Sequence, residues 1–156
     1  AVYLYFDSKE ALLRGLIERE VAPVAQRLKA LAEATGDPAR TLKTLINTAS
    51  RLLEDPRIFA TPKTVFSIAP RFPEIAEFYR SRVIDEAMGA IATLHRRGVK
   101  SGAFRDTQSE TVARMVMGPI FMQAMRKHIF RANDKASPEE RARAHVEILF
   151  DGLLKK

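Results

Sequence analysis

Apolar residues along this chain recur at steps of three and four, and nowhere alternate with period two for long enough to make a strand. Such a pattern can be buried only by laying helices against one another, so it predicts an all-α fold. Proline and glycine mark the breaks. From Asp7 or Ser8 to about Thr35, the residues Leu13, Leu16, Ile17, Val21, Val24, Leu28 and Leu31 form the stripe of a long amphipathic helix. Pro23 lies inside it and predicts a kink, because its ring removes a backbone donor. Gly36-Asp37-Pro38 reads as a stop, a cap and a first helical residue in sequence. The next helix carries Leu42, Leu45, Ile46, Ala49, Leu52 and Leu53. Asp55-Pro56 closes it and opens another, holding Ile58, Phe59, Val65, Phe66 and Ile68, with Pro62 interrupting.

Pro70-Arg71-Phe72-Pro73 predicts an extended corner in which Phe72 plugs the core. A helix with Ile75, Phe78, Tyr79, Val83, Ala87, Ile91 and Leu94 follows and ends at Arg97-Gly98. Ser101 to Asp106 then reads as a polar turn with one apolar anchor, Phe104. Two helices close the chain. One runs from Thr107 to about Phe130, interrupted by Gly118-Pro119; the other opens at Ser137-Pro138-Glu139-Glu140, a Ser cap followed by Pro and acids. The expected total is about six helices, with a loop over 131–136.

Composition narrows the function. The chain has 156 residues, 46% of them apolar, enough for one core. It has no cysteine, which excludes disulfides and thiolate metal sites and fits a reducing compartment. No apolar run reaches the length of a bilayer span and no signal-peptide pattern opens the chain, so a cytoplasmic protein without a membrane partner is expected. A net charge of +7 invites a nucleic-acid reading. The basic residues are scattered, however, and the clusters Arg96-Arg97-Lys100 and Arg126-Lys127-Arg131 fall late in helices, where cations complement the dipole.

Catalytic signals are missing. His95, His128 and His145 fall on three different helices without metal-ligand spacing. The pairs Asp85-Glu86 and Glu139-Glu140 are adjacent and do not face each other on a helix. There is no phosphate-binding loop, dinucleotide fingerprint or nucleophile elbow. The expectation is a non-enzyme with no cofactor, no metal and no catalytic residue.

The chain opens on Tyr3-x-Tyr5-Phe6-x-Ser8-Lys9-Glu10-x-Leu12. Val2, Tyr3 and Phe6 share a helical face, Asp7 or Ser8 can cap a new helix, and Glu10 stands three residues after Asp7, as a capping box requires. Lys9 lies in the first turn of that helix, where the dipole disfavours a cation and a docked polyanion would offset the cost. On periodicity alone, an ordinary helix corner with a solvated Lys9 is the better reading. The order of residues, however, resembles the T-[LIV]-Y-x-[HY]-F-x-[SN]-K-E-x-L signature of TetR-family (tetracycline-repressor-like) transcriptional regulators, which spans the end of the recognition helix and the start of the fourth helix. Ala1 stands where that pattern has Thr. The run from Ala69-Pro70-Arg71-Phe72-Pro73-Glu74 through Phe78-Tyr79 to Gly98-Val99-Lys100-Ser101-Gly102-Ala103-Phe104-Arg105 is similar to a stretch of many effector domains of the same family.

The resemblance implies a division of the chain. Residues 1–7 would be the remnant of a helix-turn-helix DNA-binding domain, and residues 8–156 a ligand-binding and dimerisation domain. Tyr3, Tyr5 and Lys9 match phosphate-contacting positions, and Leu4 one facing base edges. With Ala1 in place of an initiator Met the chain reads as truncated, so operator DNA is a partner expected of the full-length protein rather than of this fragment. The last two helices would pair with those of a second copy in a four-helix homodimer interface through Val116, Ile120, Ala124, Ala142, Val146, Leu149, Phe150 and Leu153.

A small-molecule site is implied among the central helices. Its expected lining is Phe59, Thr64, Phe66, Phe78, Tyr79, Met88, Met115, Phe121, Met122, Gln123 and His128, with Thr93 a further polar contact. Each of these taken alone reads as core; the set, beside helices broken by Pro62, Pro70, Pro73 and Pro119, predicts a cavity. The lining would suit a hydrophobic or aromatic effector, and the basic excess an anionic group. The function so implied is a ligand-responsive regulator, a repressor, whose ligand reorients the long helix about Pro23 and shifts its recognition helices off the operator. A dimeric helical scaffold or small-molecule carrier without DNA binding remains the alternative.

Overall fold

The computed structural model describes the backbone of residues 2–155 and the side chains of residues 8–155. These residues form six helices and no strand; one antiparallel bridge joins Phe104 to Leu154. Helix α1 spans 2–33 as Val2–Leu16, a π-turn Ile17–Val21, and Ala22–Glu33. Helices α2 (Pro38–Glu54) and α3 (Pro56–Ile68) follow. Helix α4 spans 73–100 as Pro73–Tyr79, a second π-turn Arg80–Ile84, and Asp85–Lys100. Helices α5 (Ser109–His128) and α6 (Pro138–Leu153) end the fold.

The helix starts are written locally. Asp37 accepts hydrogen bonds from the backbone N–H groups of Ala39 and Arg40 at 3.3 and 3.1 Å. Asp55 accepts one from Arg57 at 2.9 Å. Ser137 and Glu140 complete a reciprocal capping box at 3.1 and 2.6 Å. Proline occupies the first position of α2, α3, α4 and α6, where its missing N–H costs nothing. Helix α1 ends at Glu33, with Ala34 already out of the helical region at ψ 141°, and Gly36, at φ +128°, takes a conformation closed to most L-residues in the turn that follows.

The expected helix start at Asp7 or Ser8 is not formed: α1 runs straight through both residues. Between Val2 and Arg14 there is neither glycine nor proline. A side-chain cap contributes only about 1 kcal/mol, too little to break a segment whose ladder nothing blocks.

Internal prolines produce three different outcomes. Pro23 leaves the Arg19 carbonyl without its usual donor, and the preceding turn widens so that the Ala22 N–H donates to the Ile17 carbonyl, five residues back. Pro62 and Pro119 lie within α3 and α5 without interrupting them, contrary to expectation. At Pro119 the reason is visible. The carbonyl it leaves free, that of Met115, accepts instead from His145 Nε2 on α6 at 3.1 Å.

Helix α2 is central, with α1, α3, α4, α5 and α6 all against it; α5 and α6 both rest on α2 and touch each other little. The main core joins Leu42, Leu45, Ile46 and Ala49 of α2 to Ile91 and Leu94 of α4 and to Val112, Val116 and Ile120 of α5. A second cluster joins Leu13, Ile17 and Val21 of α1 to Val65, Ile75 and Tyr79, with Phe72 half-buried against it. Phe104 anchors its turn as expected, buried against Gly98, His95 and Phe150. Among the described residues no helix is long and apolar enough to cross a membrane.

Candidate functional site

Between the two clusters lies an apolar cavity of about 290 Å³. Helix α1 contributes Val21, Val24, Ala25 and Leu28, and the junction of α2 and α3 adds Leu53, Ile58, Phe59 and Pro62. Across from them stand Tyr79, Val83, Ile84, Ala87 and Met88 of α4, and Arg114, Met117, Gly118 and Phe121 of α5. Both π-turns reach this wall, the first through Val21 and the second through Val83 and Ile84. A π-turn displaces the backbone and spoils the regular interlock of neighbouring helices, which leaves space that straight helices would fill. At the second one the Ser81 hydroxyl donates to the Phe78 carbonyl at 3.1 Å, competing with the ladder.

The two π-turns are tied to each other. Arg82 donates to both carboxylate oxygens of Glu18, Nε to Oε1 at 2.7 Å and Nη2 to Oε2 at 3.0 Å. The hydrogen bond from Arg82 holds the Glu18 carboxyl below its ordinary pKa, and the pairing raises that of Arg82. Lys29 and Glu86 make a second link between α1 and α4 at 3.1 Å. Thr61 of α3 donates to Glu20 at 3.2 Å.

One end of the cavity is aromatic. Phe66 meets the rings of Phe59, Tyr79 and Phe121 edge-on at 6.1, 5.5 and 5.4 Å. His128 stacks on Phe59 at 4.7 Å, and its Nε2–H donates to the Leu53 carbonyl at 3.0 Å. Tyr79 is buried, which raises the pKa of its phenol, and its hydroxyl has no hydrogen-bond partner among the described residues.

Of the side chains expected to line a site, Phe59, Tyr79, Met88 and Phe121 border the cavity. Phe66 and His128 stand behind it through their ring contacts. The others lie elsewhere. Phe78 carries the Arg14 guanidinium 5.0 Å from its ring centre. Thr64 is exposed and donates to the Ala60 carbonyl. Thr93 borders a surface groove with Lys29 and Arg96. Gln123 donates to Asp134 at 2.6 Å, in a separate polar cleft beside Glu54, which Arg141 and Lys127 pair. Met115 and Met122 are more than half exposed on the outside of α5.

The aliphatic wall from α1 and α4 is not legible in the sequence, where those residues belong to ordinary core stripes. Arg114 did leave a signal: a lone charge inside the apolar run Val112-Ala113-Arg114-Met115-Val116-Met117.

Eight residues of α5 and α6 are expected at a dimer interface. Val116, Ile120, Ala124, Ala142, Phe150 and Leu153 are buried within a single chain, and Val146 and Leu149 pack on the same core. Helices α5 and α6 each carry two apolar faces; the richer face of α5 packs on α2 and α4, and that of α6 on α2. What remains free is the outer stripe of Met115, Gly118, Pro119 and Met122 beside Ile148 and Gly152. The bond from His145 to Met115 sets the two stripes side by side. Lys9 is exposed on α1; Tyr3, Leu4 and Tyr5 lie outside the described side chains. No group of His, Asp or Glu among the described residues is arranged to hold a metal.

The family model for the tetracyclin repressor-like, C-terminal domain matches residues 32–148. No curated protein matches the chain in sequence. Among solved structures, it is similar to a protein described as a TetR-family transcriptional regulator from Mesorhizobium loti MAFF303099. The TM-score is 0.77 at 18% identity, over 99% of this chain and 79% of that one. At that identity the likeness establishes the fold.

Proposed function

Because this chain belongs to the tetracyclin repressor-like C-terminal domain family, a membership that points to transcriptional regulation, we propose that it is the effector-binding and dimerisation part of a ligand-responsive repressor. The observation that carries this reading is the cavity between α1 and α4, since α1 forms its wall and also leads back to the start of the chain. In this reading residues 1–7 are the end of a DNA-reading helix-turn-helix and residues 8–156 the effector domain. A ligand between α1 and α4 changes their separation, and the exposed Glu18–Arg82 pair between the two π-turns is the contact that such a change strains. Helix α1 transmits the change to the DNA module. Helices α5 and α6 pair with a second copy through their outer stripe.

The test uses Ala87→Phe, which fills the cavity, in a chain carrying the complete DNA-binding module. Operator binding should persist while ligand-driven release is lost. Release that survives a filled cavity refutes the reading. Apolar ligands that bind without any effect on DNA would favour a carrier instead.

A further inference from the structure

Among the described residues lining the cavity, only Tyr79 and Arg114 carry a polar side-chain group. Arg114 is the only charged residue among those lining it, and no carboxylate stands in the wall. It is exposed, and neither an ion pair nor a hydrogen bond occupies it among the described residues. Arg114 borders an apolar cavity, and its exposed guanidinium has no acceptor among the described residues; a carboxylate matches this fork of donors in charge and geometry. A cationic ligand would be repelled there, and a neutral one would leave Arg114 unused.

Size narrows the class further. A dry cavity of roughly 150 Å³ accepts benzene. At about 290 Å³, this one has room for roughly twice that, an apolar body of about ten to twelve carbons.

We propose that the ligand of this cavity is an amphipathic monocarboxylate, its apolar body among Phe59, Phe121 and the α1 side chains and its carboxylate on Arg114. The proposal rests on the reading of the cavity as an effector site. It places a specificity-determining contact at a residue that the apolar pattern of α5 does not call for.

The experiment titrates decanoate, 1-decanol and decyltrimethylammonium into the chain by calorimetry, below their micelle concentrations, and repeats this with Arg114→Gln and Arg114→Lys. Thermal unfolding of each variant verifies the fold. Decanoate should bind about tenfold or more tighter than decanol, and the cation weakest. Arg114→Gln should abolish the preference for the acid while leaving decanol affinity unchanged, and Arg114→Lys should retain part of it. If wild type binds acid and alcohol alike, or if Arg114→Gln keeps the preference, the carboxylate anchor is overturned while the cavity stands as a ligand site. If none of the three amphiphiles binds, both fall.

Discussion

Replacing Gly98 with alanine is expected to destabilise the fold, although alanine is the better helix former. A methyl on Gly98 would stand 2.6 Å from Phe104 Cε2 and closer still to Cδ2. Carbon atoms in contact prefer about 3.5–4.0 Å, so the ring would have to retreat by roughly 1 Å or more. It has no room to do so. Phe104 is 1% exposed, lies parallel to the His95 ring at 5.9 Å, and meets Phe150 edge-on at 6.3 Å. Its backbone is tied as well, since the Phe104 N–H donates to the Gly98 carbonyl at 3.1 Å.

Overpacking of this kind costs about 1–3 kcal/mol. With the clash near the severe end and about 1 kcal/mol recovered from helix propensity, the net loss should be about 1–2 kcal/mol. For a domain of this size that lowers Tm by roughly 2–8 °C. The assay is thermal unfolding at fixed protein concentration, with Gly89→Ala as reference. Gly89 lies on the same helix with nothing within 4 Å of its added methyl, so that variant should hold or gain stability. Gly98→Ala/Phe104→Leu should recover part of the loss. A Gly98→Ala protein as stable as Gly89→Ala would refute the packing argument.

Removing the imidazole in His145→Ala should cost about 1 kcal/mol, because Pro119 cannot supply the usual donor to the Met115 carbonyl and His145 does; restoring the amide in His145→Ala/Pro119→Ala should recover most of it in urea unfolding. Burial pushes the His95 imidazole below its ordinary pKa of 6.5. The unfolded chain therefore takes up that proton first, and stability should fall as pH drops below about 6.5 and level off below the depressed value; Tm measured between pH 8 and 5 should lose part of this slope in His95→Gln. The proposed dimer should run at twice the chain mass by light scattering, and Ile148→Glu, on the outer stripe of α6, should reduce it to a monomer without lowering helicity; an unchanged mass would remove that stripe from the proposed interface. Ser137→Ala should cost about 1 kcal/mol, read by denaturant unfolding, through loss of the capping box.

The sequence alone was sufficient where a residue acts on its immediate neighbours. Pro38, Pro56 and Pro138 begin helices, and Asp37, Asp55 and Ser137 cap the next turn, because each effect depends on backbone groups only a few residues away. Helix number, the all-α class and the Phe104 anchor follow from such local chemistry and from a 3.6-residue period.

Tertiary structure decided what needed a partner far along the chain. Helix α5 offers Val116, Ile120 and Ala124 on one side and Met115 and Met122 on the other, all apolar, and packing against α2 and α4 determines which side is inside. Pro119 forecasts a broken helix until His145 supplies the missing donor from α6. Phe59 and Phe121 line the cavity while Phe78 does not. The difference arises where α1 and α4, each carrying a π-turn, come together around Glu18 and Arg82. Hydrophobicity is non-directional and counts only the area removed from water. It can say that these side chains will be buried, and the meeting of distant helices says against what.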